Sequence, residues 1–236
     1  MRSPLNKRLF RELRGEFGKY LVIFILMTLT IGMVSGFLVA DGSMIQAYEE
    51  SFEKYSIENG HFRTEKKMNN AQIQDIEDLG IKLYENYYVE EALTNGSTMR
   101  IFKNRDEVNK VCLMKGTMPE KPGEIGIDRM YADNNDLSVG DEIESGGHTW
   151  KITGLVALSD YSALFSNNND SMFDSVKFGV SVVCPEEFDS YKADQLNYSY
   201  AWKYNTEPKN EKAEKDISED LMEDMAKEVT LEEFVP

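Results

Sequence analysis

The chain has 236 residues, 26 basic against 42 acidic side chains and a formal net charge of −16, a balance that excludes nucleic acid as a partner because its phosphates would be repelled. With only two cysteines the fold does not depend on a disulfide framework, and its length suffices for a proper core.

Residues 1–19 open the chain with Leu5, Leu9, Leu13 and Phe17 at helical spacing among basic side chains. This predicts an amphipathic helix on the inner membrane surface, although a plain cytoplasmic extension of the next segment fits the same pattern. Residues 20–40, Tyr20 to Ala40, then carry no charged side chain over 21 residues. A helix rises about 1.5 Å per residue and satisfies its own backbone hydrogen bonds, so this stretch can cross the hydrocarbon core. The first 40 residues carry a balance of +4, so the remaining 196 carry −20 within the total of −16. Excess Lys and Arg stay inside, which places the N-terminus in the cytoplasm and the acidic bulk outside the cell membrane.

A secretory signal peptide is the rival reading. Against it, the apolar stretch exceeds the usual signal core, and Leu38-Val39-Ala40 puts a bulky side chain where cleavage wants a small one; Val34-Ser35-Gly36 keeps cleavage open. Gly32, Ser35 and Gly36 form a small-residue face that lets another helix approach closely.

Beyond the span, Ser43 is a candidate cap for a stalk helix with Met44, Ala47, Tyr48, Phe52 and Tyr55 on its apolar positions, continuous with the span if Gly42 does not break the axis. A strand near 57–64, a helix opened by Asn69 or Asn70 and stopped by Gly80, and a strand from Ile81 to Val89 follow. Residues 96–190 read as short strands and turns: 99–103, 110–115, 141–144 and 148–156, with Ser145-Gly146-Gly147 closing a hairpin. A last strand over 197–205 and a helix over 209–229 complete the chain. The expected fold is α+β, with residues 41–95 and 191–236 forming one sheet layer and the β-rich stretch 96–190 inserted between them.

Cys184 falls on the apolar side of the alternation Phe178-Val180-Val182-Cys184, which favours a buried thiol, while the compartment would permit pairing with Cys112. His61 and His148 are far apart and hold no metal-ligand spacing with the cysteines, so catalytic, cofactor and metal sites are not expected. The oxygen-rich stretches 133–136 and 167–170 lack the spaced ligands of a calcium loop and read as solvated turns. Tyr161, Leu164, Phe165, Met172 and Phe173 flank the second of these; they form either an exposed contact loop for lipid, peptide or partner, or a lid folded back on the core.

The segment Gly116-x-x-Pro119-x-x-x-Gly123-Glu124-Ile125, then Ala132, then Leu137-x-Val139-Gly140-Asp141-x-Ile143 leading into the strand Trp150 to Val156, resembles the extracytoplasmic domain of FtsX-like (MacB-type) permeases of ABC transporters. The basic start, single span and stalk helix are similar to the same family, so the resemblance covers essentially the whole chain. It implies a non-catalytic permease subunit whose external domain moves mechanically when a separate cytoplasmic ATPase closes. The implied partners are that ATPase, contacted through membrane helices expected beyond this sequence, further permease helices or a second permease copy, and a lipid, lipoprotein or peptide ligand. Family members return to the membrane for more helices, so this chain is expected to be the N-terminal part of a longer product. The competing expectation is a stand-alone single-pass sensor or adhesion protein with a ligand-binding ectodomain.

Overall fold

The computed structural model describes residues 14–161, 163–166 and 170–235. The amphipathic stretch expected at residues 5–17 lies almost wholly outside them, as do residues 167–169 of the second oxygen-rich turn. The chain divides into two compact units at Ser51/Phe52.

Helix α1, Phe17–Tyr55, runs for 39 residues without interruption. At about 1.5 Å per residue it is roughly 58 Å long, more than a bilayer core needs. Gly42 does not break it, and Ser43 lies inside it rather than capping a second helix. Helical propensity on both sides and the low cost of one glycine, about 1 kcal/mol, explain why the two expected helices are one. Its end is well defined. Ser56 takes a left-handed backbone (φ 49°), while the Ser56 and Ile57 amides donate to the carbonyls of Glu53 and Phe52 at 3.3 and 3.1 Å. That pair of bonds is the Schellman stop, here made by a serine in the position glycine usually takes.

The second unit holds two sheets. In the first, β1 (Gly60–Thr64), β2 (Ile81–Glu85), β10 (Tyr198–Tyr204) and β11 (Leu231–Val235) lie in the order β11-β1-β10-β2, each pair antiparallel. With α2 (Asn70–Glu77) between β1 and β2 and α5 (Glu211–Glu228) between β10 and β11, this is the split β-α-β arrangement of ferredoxin-like domains. Asn69 opens α2 through a reciprocal capping box with Gln72, and Gly80 turns the chain into β2 at φ 97°. One face of the sheet carries Phe62, Tyr200 and Trp202, all buried, with Phe62 stacked on Tyr200 at 5.4 Å and Trp202 on Phe234 at 4.9 Å. Ile76 of α2 and Leu221 and Met225 of α5 join the same hydrophobic cluster.

The second sheet has seven strands. Its path is β3 (Tyr88–Ala92), β4 (Thr98–Lys103), β9 (Phe178–Val183), β6 (Glu124–Asp128), β8 (His148–Ala157) and β5 (Cys112–Gly116), and β7 (Glu142–Ser145) pairs with the other end of β8. The β4–β9 and β6–β8 pairs are parallel and the others antiparallel. Short helices α3 (Arg129–Asn134) and α4 (Pro185–Phe188) follow β6 and β9. The stretch expected as one strand over 81–89 is two: β2 and β3 are separated at Asn86 and Tyr87 and enter different sheets.

Strand β9 is buried on both faces, as a strand between two neighbours in a covered sheet should be, so its apolar run does not alternate. Cys184 follows it at the start of α4, buried, and both thiols are free. In the first oxygen-rich turn, Asn134 donates to Ser175 and Asn135 caps α3 and donates to the Tyr131 carbonyl, so those side chains are occupied in turn chemistry.

Candidate functional site

Gly32, Ser35 and Gly36 all lie on α1, three and four residues apart and therefore on one face. A Cβ added at either glycine would meet nothing within 4 Å, so the space beside them is open. Apolar side chains are exposed on every side of this stretch, from 43% at Leu21 to 69% at Val39. One 18-residue window within the helix has a mean hydropathy of 2.4 and none of it is buried. A helix hydrophobic all round needs either a large protein interior or a membrane about it.

The five residues of the expected contact loop separate into two groups. Leu164 is buried, and the Tyr161 hydroxyl accepts from the Arg100 guanidinium at 2.6 Å. Arg100 also donates to the Ser166 carbonyl at 2.9 Å and forms an ion pair with Glu90 at 2.6 Å, so one strand residue of β4 pins the start of the loop. Phe165 makes an edge contact with Phe173 at 6.0 Å. Met172 at 81% and Phe173 at 47% are exposed, as is Val176 at 51%.

The last turn of α1 enters a buried polar cluster that sequence reading did not assemble. The amides of Asn109 and Lys110 donate to the carbonyls of Ser56 and Tyr55 at 3.0 and 2.8 Å, and the Tyr55 hydroxyl donates to the Cys112 thiol at 3.0 Å. Asn109 is itself fully buried in a left-handed conformation (φ 48°). Its side-chain oxygen accepts from the Glu58 amide at 2.9 Å, and its side-chain nitrogen donates to the Glu58 carboxylate. The other carboxylate oxygen meets His61 Nδ1 at 2.6 Å.

Burial pushes the Glu58 carboxyl above its ordinary value, with the nearby Asp160 charge adding to the shift and the His61 and Asn109 hydrogen bonds opposing it. Burial would lower the His61 imidazole, but the hydrogen bond to Glu58 and the charges of Glu58, Asp160 and Glu233 together hold it above its ordinary value.

Asp160 is paired in turn. Arg105 grips it with two bonds, 2.7 and 3.0 Å, and donates to the Asn86 side chain at 3.1 Å, with side-chain exposures of only 7% and 4% for the ion pair. Asn86 and Arg105 also line a cleft of about 610 Å³ whose walls include Tyr84, Tyr87, Tyr191 and Tyr198. That volume lies within the range of about 300–1,000 Å³ typical of ligand clefts. Its other cations are committed too, Lys67 to Glu85 at 3.3 Å and Lys103 to Asp189 at 2.9 Å. The cleft therefore offers aromatic faces more than free positive charge.

The cluster draws on positions 55–61, 86, 105–112 and 160, too far apart for a spacing motif. The one local signal was Glu58 three residues before His61. His148 lies elsewhere, stacked on Trp150 at 5.5 Å.

Three solved structures are among those similar to this chain. The periplasmic region of MacB from Actinobacillus actinomycetemcomitans matches at 11% identity and TM-score 0.36, covering 71% of this chain and 83% of that one. The extracellular domain of the ABC-type transporter YknZ from Gram-positive bacteria matches at 11% identity and TM-score 0.35, covering 67% and 87%. A putative lipoprotein from Bacillus anthracis matches at 12% identity and TM-score 0.35, covering 75% and 99%. No protein-family model and no curated protein matches the sequence. Identity this low carries nothing about function from those proteins to this one.

Proposed function

We propose that the chain is the first membrane helix and extracytoplasmic domain of a permease subunit of an ABC transporter, of the FtsX-like, MacB-type class. Residues 20–40 cross the bilayer from a cytoplasmic N-terminus, and the domain outside binds a ligand or partner and passes on motion driven by a separate cytoplasmic ATPase. The observation that carries this reading is the 39-residue α1, apolar and exposed around its span, whose last turn is fixed in the domain through Tyr55 and Ser56. The sequence resemblance supplies the class. In this reading the four-stranded sheet with α2 and α5 forms one subdomain and the seven-stranded sheet the other, the boundary falling at Asn86 and Tyr87 rather than at residue 95 because β3 joins the larger sheet, with the tyrosine-walled cleft and the exposed Met172 and Phe173 as places for a lipid, lipoprotein or peptide.

Two measurements test it. A cysteine placed at exposed Glu186 in a Cys112→Ser background should react with a membrane-impermeant maleimide in intact cells; labelling only after lysis would reverse the topology and end the proposal. Purified from its native membrane as the full-length gene product, the protein should bring an ATPase subunit with it, and replacing Gly32 and Gly36 by Ile should cut that yield several-fold by preventing close helix approach. Recovery of the chain alone would favour the single-pass sensor or adhesion reading instead.

A further inference from the structure

Going beyond that reading, we infer that the Glu58–His61 pair makes the attachment of the last turn of α1 to the 109–112 segment responsive to pH, tight while the His61 ring is protonated and loosened as pH rises and the ring discharges. The geometry places one carboxylate between two structural duties. One Glu58 oxygen is held by the Asn109 side chain, and Asn109 carries the backbone bond to Ser56 at 3.0 Å next to the Lys110 bond to Tyr55 at 2.8 Å. The other oxygen faces His61 Nδ1 at 2.6 Å. Whatever destabilises a charged Glu58 therefore acts directly on the residue that clasps the helix end.

Asp160 and Glu233 act on His61, and Asp160 acts on Glu58. The nearby cations are committed elsewhere, Arg105 to Asp160 by two bonds and Arg63 to Glu232 and Glu233 at 3.3 and 3.9 Å. Protonated His61 is thus the positive charge in direct contact with the Glu58 carboxylate. When the ring loses its proton, Nδ1 can still donate a hydrogen bond, but the buried carboxylate is left without a countercharge in a site that Asp160 already makes negative.

Both shifts give the same sign. His61 is raised in the folded chain, so its contribution is complete below the ordinary value of 6.5 and is lost as pH climbs through its higher folded value. Glu58 is also raised, so the folded state holds that proton more tightly than the unfolded chain does, and folding is disfavoured as pH rises from the ordinary 4.5. The two groups titrate as a pair, and neither offsets the other. The clasp therefore weakens as pH rises, the Glu58 part above its ordinary 4.5 and the His61 part above its ordinary 6.5.

The test is amide hydrogen exchange on the full chain in detergent micelles, corrected for intrinsic rates. Between about pH 6 and about pH 9, protection at Glu58, Asn109 and Lys110 should fall roughly tenfold or more, the scale of losing a charge-assisted hydrogen bond, while Ile101 and Val180 in the seven-stranded sheet stay constant. His61→Gln keeps a donor without the titration and should flatten the profile. A pH-independent profile in the unmodified chain, or an unchanged slope in His61→Gln, overturns the inference. Should that variant fail to fold, the NMR titration of the His61 ring decides: its midpoint must coincide with the loss of protection, and a mismatch overturns it equally. Failure here leaves the topology and ATPase results untouched.

Discussion

Replacing Arg105 by alanine is expected to lower the unfolding free energy by about 3–5 kcal/mol, among the largest losses any single side chain in the domain would cause. The reason lies in what is left behind rather than in what is removed. With Arg105 gone, Asp160 remains almost fully enclosed at 4% side-chain exposure, within range of the Glu58 charge. Asn86, whose side-chain nitrogen lies 3.5 Å from the same carboxylate, cannot neutralise it. The companion variant Asp160→Asn should cost less, because an amide keeps the shape without the buried charge, although the Arg105 guanidinium then loses its partner. Urea unfolding followed by tryptophan fluorescence reads both, since Trp150 and Trp202 are fully buried in the two sheets. A loss below about 1 kcal/mol for Arg105→Ala would mean that the pair behaves as a solvated surface pair and not as a buried one.

Gly116→Val should be comparably damaging, by about 3 kcal/mol or more, through backbone strain and collision together. Gly116 ends β5 at φ 82°, a conformation a β-branched residue resists. A Cβ there would also strike the Thr153 carbonyl oxygen and approach the Gly154 Cα at 3.2 Å. Both are backbone atoms of the neighbouring strand β8 and cannot move aside as a side chain could. The Thr117 amide donates to that same Thr153 carbonyl at 2.9 Å, so the collision would break the link that ends the β5–β8 pairing. Equilibrium unfolding together with exchange at Thr117 would locate the damage; a stable variant with Thr117 still protected would contradict it. This glycine opens the Gly-x-x-Pro segment that carries the family resemblance, and the structure gives it a physical reason to be glycine.

Elements set by local chemistry were legible in the sequence. The Asn69 cap and the Gly80 stop placed α2, the Ser145-Gly146-Gly147 turn placed the β7–β8 hairpin, and the 3.6-residue stripe through Ile217, Leu221 and Met225 placed α5. What depended on distant partners was less visible. Nothing within residues 81–89 announces that Asn86 and Tyr87 separate one strand from the next, because the break is imposed by β10 on one side and β4 on the other. Strand β11 was missed since Leu231-Glu232-Glu233-Phe234-Val235 is short, acidic and at a sheet edge, where apolar content is lowest. The clasp at the end of α1 was hidden for a related reason. Polar side chains such as Asn109 and Asp160 look like loop residues until the fold encloses them.

The strand order of the smaller sheet bears on how the domain is made. Its central strand β10 lies between β1 and β2 yet follows them by more than 110 residues, and β11, which flanks β1, comes later still. During synthesis, then, β1 and β2 must wait with unsatisfied edges while the entire larger sheet emerges, so closure of the smaller one is governed by long-range contacts and should be the slow, assistance-requiring step in maturation.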